Sequence, residues 1–294
     1  MIPILILVFF KTNTNILINK EDFNFNEFND LYLKYYPYRK LPNKEFLEWF
    51  VGYFESEGNM IMGKSAQSFD IVVSDQNKYL LEIIQSNLGL GSISIHSKQN
   101  KNWAWTVKNS RQIILICLLL NGNLVLPTRY TKFISFLSLV NIRLVKNNEK
   151  IINIKSNIRL PSLKDHWLAG FTDAEGNFNI NINKQIISYS IEQKQLANKY
   201  VLEYIKELFD KDSGIRDLGE VKVNSKNYWE YSINGIKVNK VFNYFDKYKL
   251  INKRINYDIF KELLLTIDEW EHLDKRDKIR IKSKLINSKN KKGK

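Results

Sequence analysis

Apolar positions first follow a helical pattern in the segment that precedes Gly58. They fall three and four residues apart, which places them on one face of an amphipathic helix: Phe46, Trp49, Phe50, Tyr53 and Phe54. The run ends at an acidic residue followed by glycine, the usual residue just past a helix end. The same order recurs as LAGFTDAEG at residues 168–176. Each stretch is therefore predicted to be a helix that ends at a glutamate, Glu57 in the first copy and Glu175 in the second.

These two helices begin a longer internal repeat. The stretch from Leu41 to Met62 recurs from Leu160 to Ile182, with one residue fewer between the proline and the acidic pair. Further along, LLEIIQSNL at 80–88 corresponds to VLEYIKELF at 201–209, both with helical spacing. Alternating apolar positions then predict a strand in each copy: Trp103, Trp105 and Val107, and Trp229, Tyr231 and Ile233. Each half is predicted to be an α+β unit of the order αββαββα, with an antiparallel sheet.

The repeat divides the chain into five segments. They are an N-terminal extension at 1–40, a first half at 41–144, a linker at 145–159, a second half at 160–272 and a basic tail at 273–294. The first ten residues, MIPILILVFF, are apolar but too few to span a bilayer, which takes ~20 residues. They lack a basic leader and a cleavage site, so we favour a non-native extension or a loosely attached strand over a signal core. We expect no membrane partner.

Charge and cysteine content narrow the functional class. The 45 basic and 31 acidic residues give a formal charge of +14, which favours a polyanionic partner such as nucleic acid. The single cysteine, Cys117, lies in an apolar run and excludes a disulfide framework or a Cys-rich zinc site. The abundance of Asn, Lys and Ile fits an AT-rich genome such as that of an organelle.

The two predicted helices are suited to pack on each other. Each carries small residues four positions apart on one face, Gly52 with Ser56 and Gly170 with Ala174. Such faces let two backbones approach closely, and the two terminal glutamates would then meet at one end.

Paired glutamates at helix ends are costly without a partner. A carboxylate at a helix C-terminus typically loses ~0.3 to 1 kcal/mol, and two carboxylates together repel. A bound cation makes the electrostatic energy of the two carboxylates favourable. Hard oxygen ligands select Mg²⁺ or Mn²⁺, and such an ion can activate water for phosphodiester hydrolysis. The alternative is that both acids are merely solvated helix ends. Two copies with matching flanks favour the metal site.

The two motifs, FVGYFESEG and LAGFTDAEG, resemble those of the LAGLIDADG homing endonucleases, in their single-chain form. The resemblance covers Leu41 to Ile267. It implies a pseudo-twofold monomer whose saddle-shaped sheets straddle double-stranded DNA, with the motif helices at the interface. It further implies that Glu57 and Glu175 bind the catalytic metals under the minor groove and cut both strands. Many members are encoded by fungal mitochondrial introns, so a mitochondrial origin is expected.

The resemblance extends in part to other site residues. Gln193 is similar to the family's polar residue that orders water near the metal, and its first-half counterpart is expected at Val73 or Ser74. Lys253 and Arg129 resemble the family's basic residue beside the scissile phosphate, although either could be an ordinary solvated base. The first acids of the motifs, Glu55 and Asp173, are interpreted as helix-end structure rather than as metal ligands.

Strand alternation predicts a face that reads DNA. In the second half a row of amides suited to adenine edges lies on one side of NFNININ. The predicted contacts there are Asn177, Asn179, Asn181, Asn183, Ser188, Ser190, Lys222, Asn224, Glu230 and Ser232. The first half offers Ser94, His96, Lys98, Thr106 and Lys108. It places Asn59, Ile61 and Gly63 where the second half has asparagines, so its readout should be poorer and the target asymmetric. The alternative is a solvated sheet face.

Two other functions compete with a DNA endonuclease. Some members of the resembled family are intron RNA maturases, so an RNA-binding splicing cofactor, or a chain with both functions, is the main alternative. A DNA binder that no longer cuts is the third. Retention of both glutamates favours the nuclease, because binding folded RNA needs no paired acids.

Overall fold

The computed structural model of the chain describes residues 17–19, 22–62, 69–97, 102–181, 186–265, 274, 276–277 and 280–281. The predictions for the first ten residues, and most of those for the basic tail, lie outside these residues. Among the described residues, no helix combines the length and the apolar character that a membrane span requires.

The first half follows the predicted order of elements. In chain order they are α2 (Lys44–Glu57), β2 (Gly58–Met62), β3 (Phe69–Asp75), α3 (Lys78–Leu88), β4 (Ser92–Ser97), β5 (Asn102–Val107), α4 (Ser110–Leu120) and α5 (Pro127–Lys146). Helix α2 begins where the Asn43 side chain accepts a hydrogen bond from the Glu45 amide, at 3.0 Å. It ends at Gly58, where the backbone becomes extended and enters β2 directly.

The second half repeats that order. Its elements are α6 (Trp167–Glu175), β7 (Gly176–Asn181), β8 (Ile186–Gln193), α7 (Leu196–Ser213), β9 (Glu220–Val223), β10 (Trp229–Asn234), a 3₁₀ helix (Gly235–Val241), α8 (Phe242–Lys247) and α9 (Arg254–Leu265). The predicted α+β class with two αββαββα units is thus confirmed.

The two sheets are antiparallel and have the same topology. Their strand orders are β2-β3-β5-β4 and β7-β8-β10-β9. In the first sheet Gly58 pairs with Val73, and in the second Gly176 pairs with Ile191. The register therefore relates Gly58 to Gly176 and Val73 to Ile191. Buried aromatic residues fill the core beneath both sheets, among them Trp105, Tyr189 and Tyr231.

Part of the N-terminal extension belongs to the core of the first half. Helix α1 (Asn26–Tyr35) buries Phe28 and Tyr32, and the Tyr32 hydroxyl donates to the Leu88 carbonyl oxygen at 3.1 Å. Ahead of it, β1 (Leu17–Asn19) pairs in parallel with β6 (Asn157–Arg159) at the end of the linker. The segment from residue 22 to 36 is thus packed against the repeat, while residues 37 to 40 are exposed.

Candidate active site

Helices α2 and α6 pack backbone to backbone at their glycines. A Cβ atom added to Gly52 would lie 2.1 Å from the Trp167 carbonyl oxygen, and one added to Gly170 would lie 1.9 Å from that of Trp49. Any side chain at either position would therefore collide with the facing main chain. Each glutamate follows its glycine by five residues, so the crossing brings Glu57 and Glu175 to the same end of the helix pair.

The first acid of each motif is buried and accepts hydrogen bonds across this interface. Glu55 accepts from the Trp167 indole at 2.6 Å and from the backbone amides of Val125 and Leu126 at 2.9 and 2.6 Å. These donors hold the carboxylate, while its burial raises the Glu55 pKa to about 7. Glu55 therefore faces the helix interface, away from the end of the helix.

Asp173 makes the pseudo-symmetric set of contacts. It accepts from the Trp49 indole at 2.8 Å and from the amides of Ile251 and Lys253 at 2.6 and 2.7 Å. Glu55 and Asp173 were expected to be helix-end structure, and the structure places both in hydrogen bonds across the helix interface instead. The two tryptophans were missed by sequence reasoning, although each stands eight residues before its motif's final glutamate, a repeat that could have revealed them.

Glu57 and Glu175 influence each other electrostatically. Glu57 is exposed at its helix end, yet the protein around it, and then the Glu175 and Asp75 carboxylates, raise its pKa to about 7. Desolvation likewise raises the pKa of Glu175, against the nearby charges of Lys253 and Arg129. The charged form of each carboxylate is therefore less stable here than in water, in spite of the nearby charges of Lys253 and Arg129.

Arg129 and Lys253 hold the ends of the two motif helices. Arg129 donates to the carbonyl oxygens of Glu55, Ser56 and Gly58, the last at 2.8 Å. Lys253 Nζ donates to the corresponding carbonyls of Ala174 and Gly176, at 2.9 and 2.6 Å, and to that of Thr172. Both cations sit at the negative ends of helix dipoles, beside the glutamates. Neither is an ordinary solvated base.

The expected counterpart of Gln193 was wrong. Gln193 lies two residues beyond the partner of Gly176 in β8, and the same step from Val73 in β3 reaches Asp75, not Val73 or Ser74. Val73 itself is fully buried. The Asp75 carboxylate accepts from the Tyr53 hydroxyl and from the Asn77 amide. The first half thus carries an acid where the second carries an amide.

Gln193 itself is buried in the second half. It is 7% exposed, and its amide oxygen accepts from Asn198 Nδ2 at 2.8 Å.

The second sheet presents most of the predicted reading face. Asn177, Asn179 and Asn181 are exposed along β7. Ser190 and Ser232, by contrast, are only 8% and 3% exposed, because these short side chains lie on central strands between Asn177 and Glu220. Ser188 is half-buried beside Asn179.

Edge strand β9 and its neighbour β10 carry charged residues on the same side of the sheet. Lys222 Nζ donates to Glu220 at 2.5 Å, and Glu230 lies across from Lys222. Asn224 closes the turn after β9 by accepting from the amides of Lys226 and Tyr228, and donates to Glu230. Asn183 lies outside the described residues.

The corresponding face of the first sheet is more apolar. Exposed Asn59 and Ile61 stand where the second half has Asn177 and Asn179. Ser94 and His96 are exposed and Thr106 is half-buried, while Lys108 approaches Asp70 at 3.9 Å. Lys98 lies outside the described residues, as does Gly63. The two halves therefore present unequal faces.

The comparisons with known proteins agree with this architecture. The family model for LAGLIDADG endonucleases matches residues 50–140 and 168–264, which hold both motifs and both sheets. The chain belongs to the LAGLIDADG endonuclease family. A probable intron-encoded endonuclease 4 of Neurospora crassa is 30% identical over 238 residues, which are 77% of this chain and 41% of that protein. The chain thus spans about two fifths of that relative's length.

Other LAGLIDADG relatives and structures are more distant in sequence. The intron-encoded DNA endonuclease aI3 of Saccharomyces cerevisiae is 25% identical over 59% of this chain and 51% of its own length. Meganuclease I-SmaMI, solved with uncleaveable DNA, superposes with a TM-score of 0.66 at 17% identity, over 83% of this chain and 98% of its own. I-CpaMI, solved with uncleaved DNA, gives 0.59 at 18% identity, over 81% and 98%. These two likenesses establish the LAGLIDADG fold.

Proposed function

We propose that the chain is a site-specific endonuclease that hydrolyses both strands of double-stranded DNA at a long asymmetric target. The observation that carries this proposal is the pair of glutamates, Glu57 and Glu175, at one end of the α2–α6 crossing. The charge of Glu175 contributes to the raised pKa of Glu57. A site that only bound DNA would gain nothing from two carboxylates near the phosphates. An RNA splicing cofactor gains no support from the paired acids or from the endonuclease relatives.

A divalent metal fits these residues. Within the described chain no group of three or more His, Cys, Asp or Glu side chains is arranged to hold a metal ion. The two carboxylates are hard oxygen donors, however, and their mutual repulsion is what a cation would relieve. One relative in fold, I-SmaMI, was solved with its DNA target and calcium ions. Glu57 and Glu175 would hold Mg²⁺ or Mn²⁺, which supplies Lewis-acid chemistry, with phosphate and water oxygens completing the ligand set.

The remaining site residues would orient the reacting groups. Arg129 and Lys253 keep the two helix ends, and so the glutamates, in place, and each brings positive charge beside the scissile phosphate. Gln193 and Asp75, at matching strand ends, would order water near the phosphates. The halves at 41–144 and 160–272 would act as one monomer, with the exposed asparagines of β7 reading base edges and the first sheet contributing fewer contacts. We expect the chain to be encoded within an intron of an organelle gene, because one of its relatives is a cox1 intron-2 protein of Schizosaccharomyces pombe.

The test is selection of cleaved sites from a randomised DNA library in the presence of Mg²⁺. We expect one long, non-palindromic site to be recovered, cut in both strands. Recovery of no cleaved sequence, together with binding of structured intron RNA in preference to any DNA, would replace the endonuclease by the splicing cofactor.

A further inference from the structure

A polar contact between Asn198 and Thr128 crosses from the second half to the first. Asn198 Nδ2 donates to Gln193 Oε1 at 2.8 Å, and Asn198 Oδ1 accepts from Thr128 Oγ1 at 3.1 Å. Gln193 and Asn198 belong to the second half, but Thr128 lies on α5 of the first. We call this chain of three residues the Asn198 bridge.

The first half makes a matching contact in the opposite direction. Here the backbone N–H of Asn77 donates to Asp75 Oδ1 at 2.7 Å, while the side-chain Nδ2 of Asn77 donates to Asn252 Oδ1 at 3.0 Å. Asn252 belongs to the second half. We call Asp75, Asn77 and Asn252 the Asn77 bridge.

The two bridges are related by the internal repeat. Asn77 and Asn198 each stand three residues before the aligned helical segments at 80–88 and 201–209. Thr128 directly precedes Arg129, and Asn252 directly precedes Lys253. Each bridge therefore begins at the strand-end residue of one half and finishes beside the base that holds the motif helix of the other.

Burial makes the Asn198 bridge stiff. Asn198 is 3% exposed and Gln193 is 7% exposed, so water cannot easily replace either partner. A buried amide that loses its partner is left with an unpaid desolvation cost, which keeps both groups in one orientation. The position of Gln193 is thus set by a hydroxyl that the opposite half supplies.

We propose that Asn77 and Asn198 are positioning residues that couple the two half-sites, so that the two DNA strands are cut at matched rates. This inference rests on the proposed function. Asn198 holds Gln193 through its side chain, and Asn77 holds Asp75 through its backbone N–H. The side chain of each asparagine is in turn anchored to the residue that precedes the base of the other half. When the hydrogen bonds of one bridge are removed, that half-site keeps its glutamate, but its strand-end residue is no longer held in position.

The test removes the member of each bridge that belongs to the opposite half. Thr128→Val removes the hydroxyl donor without changing side-chain size, and Asn252→Ala removes the acceptor for Asn77. Neither change touches a glutamate or a base of the site. Thr131→Val is the matched control, because Thr131 is exposed on the same helix and its hydroxyl donates to the Pro127 carbonyl oxygen of that helix.

We would measure the cleavage rate of each strand separately on an end-labelled duplex of the selected site. The ratio of the two rates should change by roughly threefold or more, the effect expected when one hydrogen bond of the site is lost. The change should be in opposite directions for Thr128→Val and Asn252→Ala, with the ratio for Thr131→Val unchanged. Equal slowing of both strands by both variants would overturn the coupling.

Two further readouts separate this inference from the proposed function. DNA affinity without metal should stay within about twofold for all three variants, since no DNA contact is removed. The Tm losses of Thr128→Val and Asn198→Ala should fail to add in the double variant, because both remove the same contact. Additive losses would overturn the Asn198 bridge even in a chain that cuts DNA. Absence of any cleavage by the unaltered chain would overturn the proposed function, whatever the Tm values.

Discussion

The carboxylates of Glu57 and Glu175 lie in positions that destabilise their charged forms. Each is the last residue of its helix, close to the negative end of the dipole, and each feels the other's charge. Arg129 and Lys253 offset part of this by donating to the carbonyls at the helix ends. Local instability of this kind is typical of functional sites, because the bound ion or substrate relieves it.

The raised pKa of Glu57 gives a prediction about the stability of the fold. The folded pKa of Glu57, about 7, lies above the value of ~4.3 expected in the unfolded chain. The folded state therefore binds more protons in that window, and the contribution of Glu57 to stability falls as pH rises through it. In chelator, Glu57→Gln should raise the Tm relative to the unaltered chain. The gain should grow from about pH 4.3 to about pH 7 and stay level above.

Asp217 provides the control of opposite sign. A hydrogen bond from Lys206 lowers the pKa of this exposed carboxyl, so Asp217 adds stability above its unfolded pKa. Asp217→Asn should leave the Tm at neutral pH unchanged or lower. A Glu57→Gln variant that loses Tm, or whose Tm difference does not vary with pH, would mean that the glutamate is not strained.

At the scale of the elements, the α2–α6 crossing was accessible from the sequence, but the strand register was not. The small residues and the repeated spacing predicted that the motif helices meet, and Gly52 and Gly170 lie at the contact. Asp75 could not be found in this way, because FDIVVSD carries no marker of which residue faces Gly58. A one-residue slip in a strand moves every side chain to the other face. Only the pairing of Val73 with Gly58 therefore shows that Asp75 lies two residues beyond the partner of the helix-end glycine, as Gln193 does in the second half.

Substitution of a crossing glycine tests the helix packing. Gly170→Leu places atoms within 1.9 Å of the Trp49 carbonyl oxygen, where only main chain could give way. We expect a loss of several kcal/mol in the free energy of unfolding, together with loss of cleavage. Gly214→Ala is the control: its Cβ meets nothing within 4 Å, so it carries only the cost of a left-handed backbone, about 1 to 2 kcal/mol. A stable, active Gly170→Leu chain would show that the helices do not meet there.

The tryptophan of each motif helix, which donates to the buried acid of the other, gives a second test of the same interface. Trp167→Phe removes the indole donor to Glu55 Oε2 and leaves a fully buried acid with fewer partners. Chemical denaturation should show a loss of about 1 to 3 kcal/mol beyond that of Trp103→Phe, which removes an indole from the sheet instead. Equal losses for the two variants would argue that the Glu55 contact contributes nothing to the packing of the halves.

At the scale of the whole molecule, the chain is a pseudo-symmetric pair whose halves differ in chemistry. The repeat predicted the shared topology, and composition predicted a polyanionic partner. What the repeat could not predict is which polar side chains stay accessible. Ser190 and Ser232 have the right strand parity but are buried on central strands, whereas the asparagines of edge strand β7 are exposed. Burial depends on neighbouring strands, which alternation within one strand does not reveal.

This asymmetry predicts two kinds of binding loss. Asn179→Ala or Asn181→Ala should cost ~1 to 3 kcal/mol at particular base pairs of the selected site, because base-edge hydrogen bonds are lost. Lys222→Ala should weaken all sequences alike and reduce the log–log salt slope by ~0.9, provided that phosphate displaces Glu220 from Lys222. Competition binding against single-base variants at two salt concentrations separates them. Asparagine variants that lose affinity equally for every DNA would mean that β7 does not read bases.

The paired glutamates are the centre of this interpretation, and cleavage of the selected duplex with Mg²⁺ tests them most directly. The measurement compares the unaltered chain with Glu57→Gln and Glu175→Gln, alongside metal-free DNA affinity. We expect each variant to lose double-strand cleavage while keeping its affinity within a few-fold, since each loses a metal ligand and little of the binding surface. Full double-strand cleavage by either variant would contradict the assignment of Glu57 and Glu175 as the catalytic pair.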